Sequence, residues 1–492
     1  MINSCERISS LESIRKVYAY ASNHQLLSLC RVVTGFMLLT LFLFAHLAQA
    51  DLLLTVTHGN DKLPKIAVSP FGWSGNQLLP EDMAAIISND LELSGSFKIL
   101  PQSKMLNLPS KPSEVSLRNW SILGVPYLVT GQVEKFGNGY NVSYQLFDTE
   151  NEKKEILSGK LRGGAGELRA LAHRVSDAVY EKITSFKGDF SSRLLYVTAD
   201  MVKPAHQIIK DGRKRMVPPQ YIYRLKYADA DGHRARTIFQ SNQPLLSPCW
   251  APDGKRVAYV SFETGRSTIF IQDLASGKRR QIADYKGVNS SPAWSPDGKK
   301  IAFTLSKDGQ PNIYILDLTT NRLSRVTSHF AIDTEPDWMP DGNSIVFTSN
   351  QGNSPQIYQL ALTFKANGQI VPDGVAKRLT FDGIFNARAS VFPNGKLIAM
   401  VHKGKGEEAF NIAVENLDTG KMRLLTESKL DDSPSVSPSG QRLVYSTQGK
   451  KHGELGVVSV NSGAKYRLPS ESGDVREPAW GPGVQLERIT AS

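Results

Sequence analysis

Residues Ser291–Thr304 read SPAWSPDGKKIAFT, and the same pattern stands at Ser247–Val260 (SPCWAPDGKRVAYV) and at Glu335–Thr348 (EPDWMPDGNSIVFT). With the aromatic position as register, the equivalents are Trp250, Trp294, Trp338, Val391, Val436 and Trp480. They lie 44, 44, 53, 45 and 44 residues apart, and the long interval holds an insertion over 364–375. A period near this length built from short strands predicts a β-propeller with one four-stranded blade per repeat. Pro296 presets the first central position of a type I turn, and Gly298 suits the left-handed residue that closes a bulged hairpin. Strands are expected over 300–305, 312–318 and 322–327, with Trp294 wedged between neighbouring blades. One blade cannot bury both faces alone, so the unit recurs until a ring closes.

The count says how it closes. Second-strand segments begin at Leu194, Arg256, Lys300, Ser344, Leu397 and Arg442, and inner-strand motifs are also six but offset by one. RLLYVT at 193–198 has no motif ahead of it, and Glu477-Pro-Ala-Trp480 has no second strand after it. Six blades, with Glu477–Trp480 completing the blade begun at Arg193, account for both absences.

Upstream the pattern changes. Strands are expected over 52–57, 65–70, 97–100, 127–135, 140–147 and 155–162. A helix over 80–93 places Met83, Ile86, Ile87 and Leu91 on one stripe. A shorter helix is expected over 113–123. A third, over 166–184, aligns Leu168, Leu171, Ala172, Val175, Val179 and Ile183. The fold class is therefore an α/β N-terminal domain over 51–186, a tight linker Lys187-Gly188-Asp189, and an all-β six-bladed propeller over 190–492.

The apolar run Val32–Ala45, preceded by Arg31 and followed by Ala48-Gln49-Ala50, has the length and small-residue exit of a cleaved export signal over 1–50. Cys5 and Cys30 fall inside it. That leaves Cys249 as the single thiol, expected to be buried in its repeat, so the exported chain relies on its core rather than a disulfide. The formal charge of the 492 residues is +11. The cations read as scattered through turns, which points to a solvated basic surface rather than a nucleic-acid site.

No catalytic constellation emerges. There is no G-x-S-x-G, and the seven histidines beyond residue 50 are isolated, without the pairing of a zinc site. Arg162-Gly-Gly-Ala-Gly166 lacks the Lys-Ser/Thr of a phosphate loop. Asp229-Ala-Asp-Gly232 reads as a hairpin turn rather than a calcium loop, and the Pro-Asp-Gly aspartates read as turn formers. No cofactor, no metal and no catalytic residue are expected, although occupation of the channel by a cation stays open.

The order of segments is more specific than the repeat. The α/β region begins KIAVSPF, contains LPEDMAAIISNDLELSGSFK and VTGQVEKFGNGYNVSYQLFDTE, and is followed by six W-x-P-D-G-type repeats. Over nearly the whole exported chain this resembles the TolB family, periplasmic components of the Tol–Pal envelope system of Gram-negative bacteria. The resemblance implies a monomeric, non-enzymatic periplasmic protein that supports outer-membrane integrity and constriction at division. It also implies Pal binding at the propeller mouth and TolA binding through the mature N-terminal segment, here Asp51, Leu52, Leu53, Leu54, Thr55 and Val56. Other outer-membrane or peptidoglycan-associated partners are compatible with it, and no membrane span is expected after the signal. Residues just ahead of each motif proline should ring the mouth, and the Pal site is expected at Val288, Asn289, Ser291, Thr334, Glu335, Arg388, Asp432 and Glu477. Val391 and Val436 depart from the aromatic pattern and put blade packing there in question. The competing readings are a propeller-bearing hydrolase or lyase, for which only twelve residues follow Trp480, and a chaperone-like scaffold without a saturable site.

Overall fold

Every repeat supplies four short runs rich in β-branched and aromatic residues, separated by turn residues, and each becomes a four-stranded antiparallel sheet. The computed structural model describes residues 63–150, 155–210, 213–469 and 473–483; the expected export signal and the strand expected over 52–57 lie outside the described residues. In blade 3, Asn289–Trp294 is the inner strand, followed outward by Lys300–Leu305, Asn312–Asp317 and Arg322–Arg325. Gly298 has φ +67°, as the turn requires. Asp297 accepts the Lys299 N–H at 3.0 Å, which is the turn-forming role expected of the repeated aspartates.

The ring closes as the offset predicts. Asp474–Trp480 pairs antiparallel with Arg193–Lys203, setting Trp480 opposite Leu194, and Gln220–Asp229 and Arg236–Ser241 complete that blade 1. Blades 2 to 6 begin at Leu245, Asn289, Asp333, Phe385 and Asp431. The insertion in blade 4 lengthens the hairpin Gln356–Phe364/Ile370–Arg378.

The register tryptophans seal one blade to the previous one. Trp250 Nε1–H donates to the Ala479 carbonyl at 3.2 Å and Trp338 Nε1–H to the Ala293 carbonyl at 3.1 Å. Packing at the two valine positions is recovered by other groups. Phe392, one residue beyond Val391, is fully buried against Leu443, Tyr445 and Val458. Beyond Val436, the Arg442 guanidinium lies 5.2 Å from the Trp480 ring and 4.6 Å from Phe190.

In the N-terminal domain the sheet runs Lys98–Ile99, Lys65–Val68, Tyr127–Phe136, Gly139–Asp148, Glu155–Gly163, parallel at its start and antiparallel thereafter. Helices Met83–Leu93 and Leu168–Thr184 bury their apolar stripes on one face, and the short helix Leu117–Ile122 closes the other with Trp120. Asp82 caps the first helix by accepting the Ala85 N–H at 3.1 Å.

This domain sits on the end of the propeller that carries the strand 1–2 and 3–4 turns. A Cβ on Gly95 would come within 2.5 Å of Ala464 in a blade 6 turn, so a glycine permits the approach. The linker is part of the joint: buried Asp189 accepts from Arg442 Nε at 2.8 Å and from Ser439 Oγ at 2.5 Å. His173 is not isolated, contrary to the sequence reading. Its Nδ1 lies 2.8 Å from Asp90 Oδ2, and its Nε2 lies 3.8 Å from Asp231 Oδ2. Arg169 pairs with that Asp231 oxygen, Ser176 donates to the Asp90 oxygen at 2.6 Å, and Arg234 pairs with Asp229 at 2.7 Å. The Asp229–Gly232 segment is a hairpin turn as expected, and it also carries the anions of this joint. Burial would lower the His173 pKa, but Asp90 and Asp231 outweigh it and raise it to about 9.

Candidate functional site

At the other end of the ring, each inner strand carries a bulge just before its motif proline or alanine. Ser247, Ser291, Glu335, Arg388, Ser433 and Glu477 all have positive φ, between 47° and 55°. Six non-glycine residues held in the left-handed region, each costing roughly 1 kcal/mol, form one ring around the channel opening. The bulges turn these residues out of the strand pleat and over the opening.

A channel of about 320 Å³ runs beneath, lined by the six bulge residues, the five prolines and Ala389 that follow them, and the register residues Trp250, Trp294, Val436 and Trp480. Cys249 lines this channel half-buried rather than being sealed in a blade, since the bulge shifts its neighbours out of simple alternation. Burial still raises its thiol pKa, which keeps it protonated. Asp337, lower in the wall, accepts the Trp338 N–H at 2.9 Å and the Val391 N–H at 2.8 Å, and burial pushes its pKa up to about 6. Ser390 and Ser435 cap the next inner strands in the same way, through the N–H groups of Val436 and Trp480.

The expected mouth residues fall into three groups. Glu335, Arg388, Asp432 and Thr334 converge. Arg388 Nε lies 3.1 Å from Glu335 and 3.5 Å from Asp432, and its Nη1 donates to Ser433 Oγ at 2.6 Å. Burial opposes the Arg388 charge, but Asp432, Glu335 and Glu477 raise its pKa further. These four residues border a cavity of about 340 Å³ whose remaining wall is mostly apolar, including Phe385, Val401, Phe410 and Leu430. Ser291 and Glu477 stand elsewhere on the ring, where Glu477 accepts the Ser247 N–H. Val288 is exposed, whereas Asn289 is fully buried. Its amide bonds Tyr285 and Ser267, so it shapes the loop that presents Val288 rather than facing outward. Asp51 to Val56 lie outside the described residues.

Sequence reasoning missed the apolar wall. Phe385, at the start of the blade 5 inner strand, and Phe410, in that blade's connection between its second and third strands, pack edge to face at 5.3 Å outside the repeat motif. The exposed Phe330, Phe381 and Ile384 lie in the connections leading into the inner strands of blades 4 and 5. A scan for hydrophobic residues in the 2–3 and 4–1 connections and at the starts of the inner strands would have found them.

Fold and site define an α/β domain joined to a six-bladed propeller with an open polar channel mouth. A family profile described as the TolB amino-terminal domain matches residues 52–155, and one described as the TolB beta propeller domain matches 180–484. The chain is 49% identical over 445 residues to the Tol-Pal system protein TolB of Pseudomonas aeruginosa, covering 90% of this chain and 98% of that one. It is 47% identical over 448 residues to the protein of that name from Pseudomonas syringae pv. tomato, covering 91% and 98%. The crystal structure of TolB from Acinetobacter baumannii superposes with TM-score 0.75 at 39% identity, covering 88% of this chain and all of that one. The chain belongs to the TolB family. Among the described residues no helix is long and apolar enough to cross a membrane, which leaves strand-built spans unaddressed.

Proposed function

We propose that this chain is a non-enzymatic periplasmic component of a Tol–Pal system, exported by the signal over 1–50. It takes Pal at the channel mouth and TolA through Asp51–Val56, and so supports outer-membrane integrity and constriction at division. The observation that carries the reading is the ring of six left-handed inner-strand residues beside an apolar cavity. Strain repeated in all six blades at one end of a channel is retained where it presents side chains, and a mixed-charge rim around an apolar hollow suits an inserted partner loop. The carboxylates there are held by Arg388 and by backbone N–H groups, an arrangement suited to orienting a partner.

Thr334→Arg and Ser291→Arg place a long cation over the opening without touching the core. Calorimetric titration should show Pal affinity falling at least tenfold, with thermal unfolding unchanged. Wild-type affinity in both folded variants would move the site elsewhere. Removal of residues 51–58 should abolish TolA binding and leave Pal bound. Turnover of peptides or glycans by the purified protein would favour the hydrolase or lyase reading instead.

A further inference from the structure

In five blades the connection between the second and third strands is four to seven residues long; in blade 1 it spans sixteen, residues 204–219. It forms a separate two-stranded hairpin, His206–Lys210 with Arg213–Val217, which among the described residues joins no other sheet. Its supporting strands, Arg193–Lys203 and Gln220–Asp229, are paired out to Lys203 opposite Gln220, so the hairpin projects from the mouth end of the ring, away from the N-terminal domain. The sequence signal is Asp211-Gly212 between two runs of strand residues, the dipeptide of a tight hairpin.

The arm's surface is unusual for a piece standing in water. Ile209 is 76% exposed and Met216 65%, and a lone hairpin gains nothing from apolar groups left there. Over 203–217 the sequence carries Lys203, Lys210, Arg213, Lys214 and Arg215 against a single acid, so the chain's cations are not merely scattered. The pairing sets Ile209 opposite Lys214 and Gln207 opposite Met216 on one face, and Ile208 opposite Arg215 on the other. Both faces therefore mix a cation with an apolar side chain. A folded acidic partner would cover one face of the ribbon; a fluid layer of charged headgroups over an apolar interior surrounds both.

We propose that this arm docks the propeller on an anionic lipid surface. Arg213, Lys214 and Arg215 meet the headgroup phosphates while Ile208, Ile209 and Met216 reach the boundary of the acyl chains. The proposal is independent of what the channel mouth binds.

The test is co-sedimentation of the exported, processed protein with phosphatidylcholine vesicles, with and without phosphatidylglycerol. Wild type should partition onto the anionic vesicles only, and less as salt rises. A cation at such a surface contributes roughly fivefold in partitioning, so Arg213→Gln/Lys214→Gln/Arg215→Gln should lose about a hundredfold. Ile209→Ser/Met216→Ser should lose about tenfold. Replacing 204–219 with the short connection of blade 3 should abolish binding while thermal unfolding and Pal affinity hold. Absence of wild-type binding to anionic vesicles, or triple-variant binding equal to wild type, overturns the proposal. So does capture of an acidic envelope protein, or of a second copy, that the triple variant loses while vesicles are ignored throughout.

Discussion

The two ends of this propeller are made from the same strands and handle charge in opposite ways. At the turn end, Arg442 and Asp189 form a pair whose side chains are only 5% and 3% exposed, and His173 and Asp90 are as deeply enclosed. At the mouth, Arg388 stands between Glu335 and Asp432 with its side chain 35% exposed, on a backbone bent into the left-handed region. Charges without water are tolerable only when each is matched and hydrogen-bonded, which makes the turn end a fixed joint between domains. Charges that keep water and sit on strained backbone are available to something else. The middle of every blade is interchangeable β-core; what distinguishes one region from another is written at the ends of the strands.

If that contrast is right, the largest loss of stability comes from breaking the joint. Arg442→Ala leaves Asp189 buried with only Ser439 and neighbouring dipoles, and removes the guanidinium packed on Trp480 and Phe190. Truncating one partner of a buried pair costs about 3–5 kcal/mol. Urea denaturation should show a loss in that range, and Arg442→Met/Asp189→Leu should recover much of it. A loss below about 1 kcal/mol in the single variant would mean water reaches the pair.

A somewhat smaller effect is expected from His173, and it depends on pH. Its folded pKa, about 9, lies above the ordinary 6.5 because Asp90 and Asp231 favour the proton more than burial opposes it. The proton therefore stabilises the fold. That contribution is complete below about pH 6.5 and is lost as pH rises through 9, in all roughly 3 kcal/mol. His233, raised by its bond to Asp231, adds a slope of the same sign. The buried acids Asp177 and Asp337, raised to about 6, titrate below this window. Stability measured at pH 7 and again above 9 should fall for wild type and fall much less for His173→Gln. Equal slopes in the two proteins would place the titrating group elsewhere.

Much of the ring was legible in the sequence because a repeat is its own control. The offset of RLLYVT from Glu477–Trp480 told which strand closes the circle, and Trp250, Trp338 and Trp480 hold blades together where the spacing put them. The joint was not legible. Asp90, Asp231 and His173 come from two helices and a distant turn, and no spacing rule links them. Arg169, His173 and Ser176 did share one helix face, a polar stripe beside the apolar one that could have been noticed. At the mouth, the motif located the ring, yet it could not say that Asn289 turns inward to hold its own loop while Phe385 and Phe410 supply a wall. Such choices are made by bulges and connections, where side-chain direction no longer follows a period of two.

The smallest effect should come from the arginine at the other end. Arg388 carries the same charge as Arg442 and has more carboxylates around it, Glu335, Asp432 and Glu477, so counting charges alone would rank it higher. Exposure reverses the ranking. Half-open pairs are screened and contribute about 0–1 kcal/mol, so Arg388→Ala should cost under about 1 kcal/mol, several-fold less than Arg442→Ala. The backbone adds a second test. With φ at +54°, position 388 disfavours any Cβ by roughly 1 kcal/mol, a penalty glycine does not have. Arg388→Gly should then be at least as stable as Arg388→Ala, although glycine normally weakens a strand. On the proposed reading of the mouth as a Pal site, both variants should also lose Pal affinity, because the cation between Glu335 and Asp432 is gone. An alanine variant more stable than the glycine one, by thermal unfolding, would show that the bulge relaxes when its arginine is removed. The ring of left-handed residues would then be held by the side chains and not by the blades.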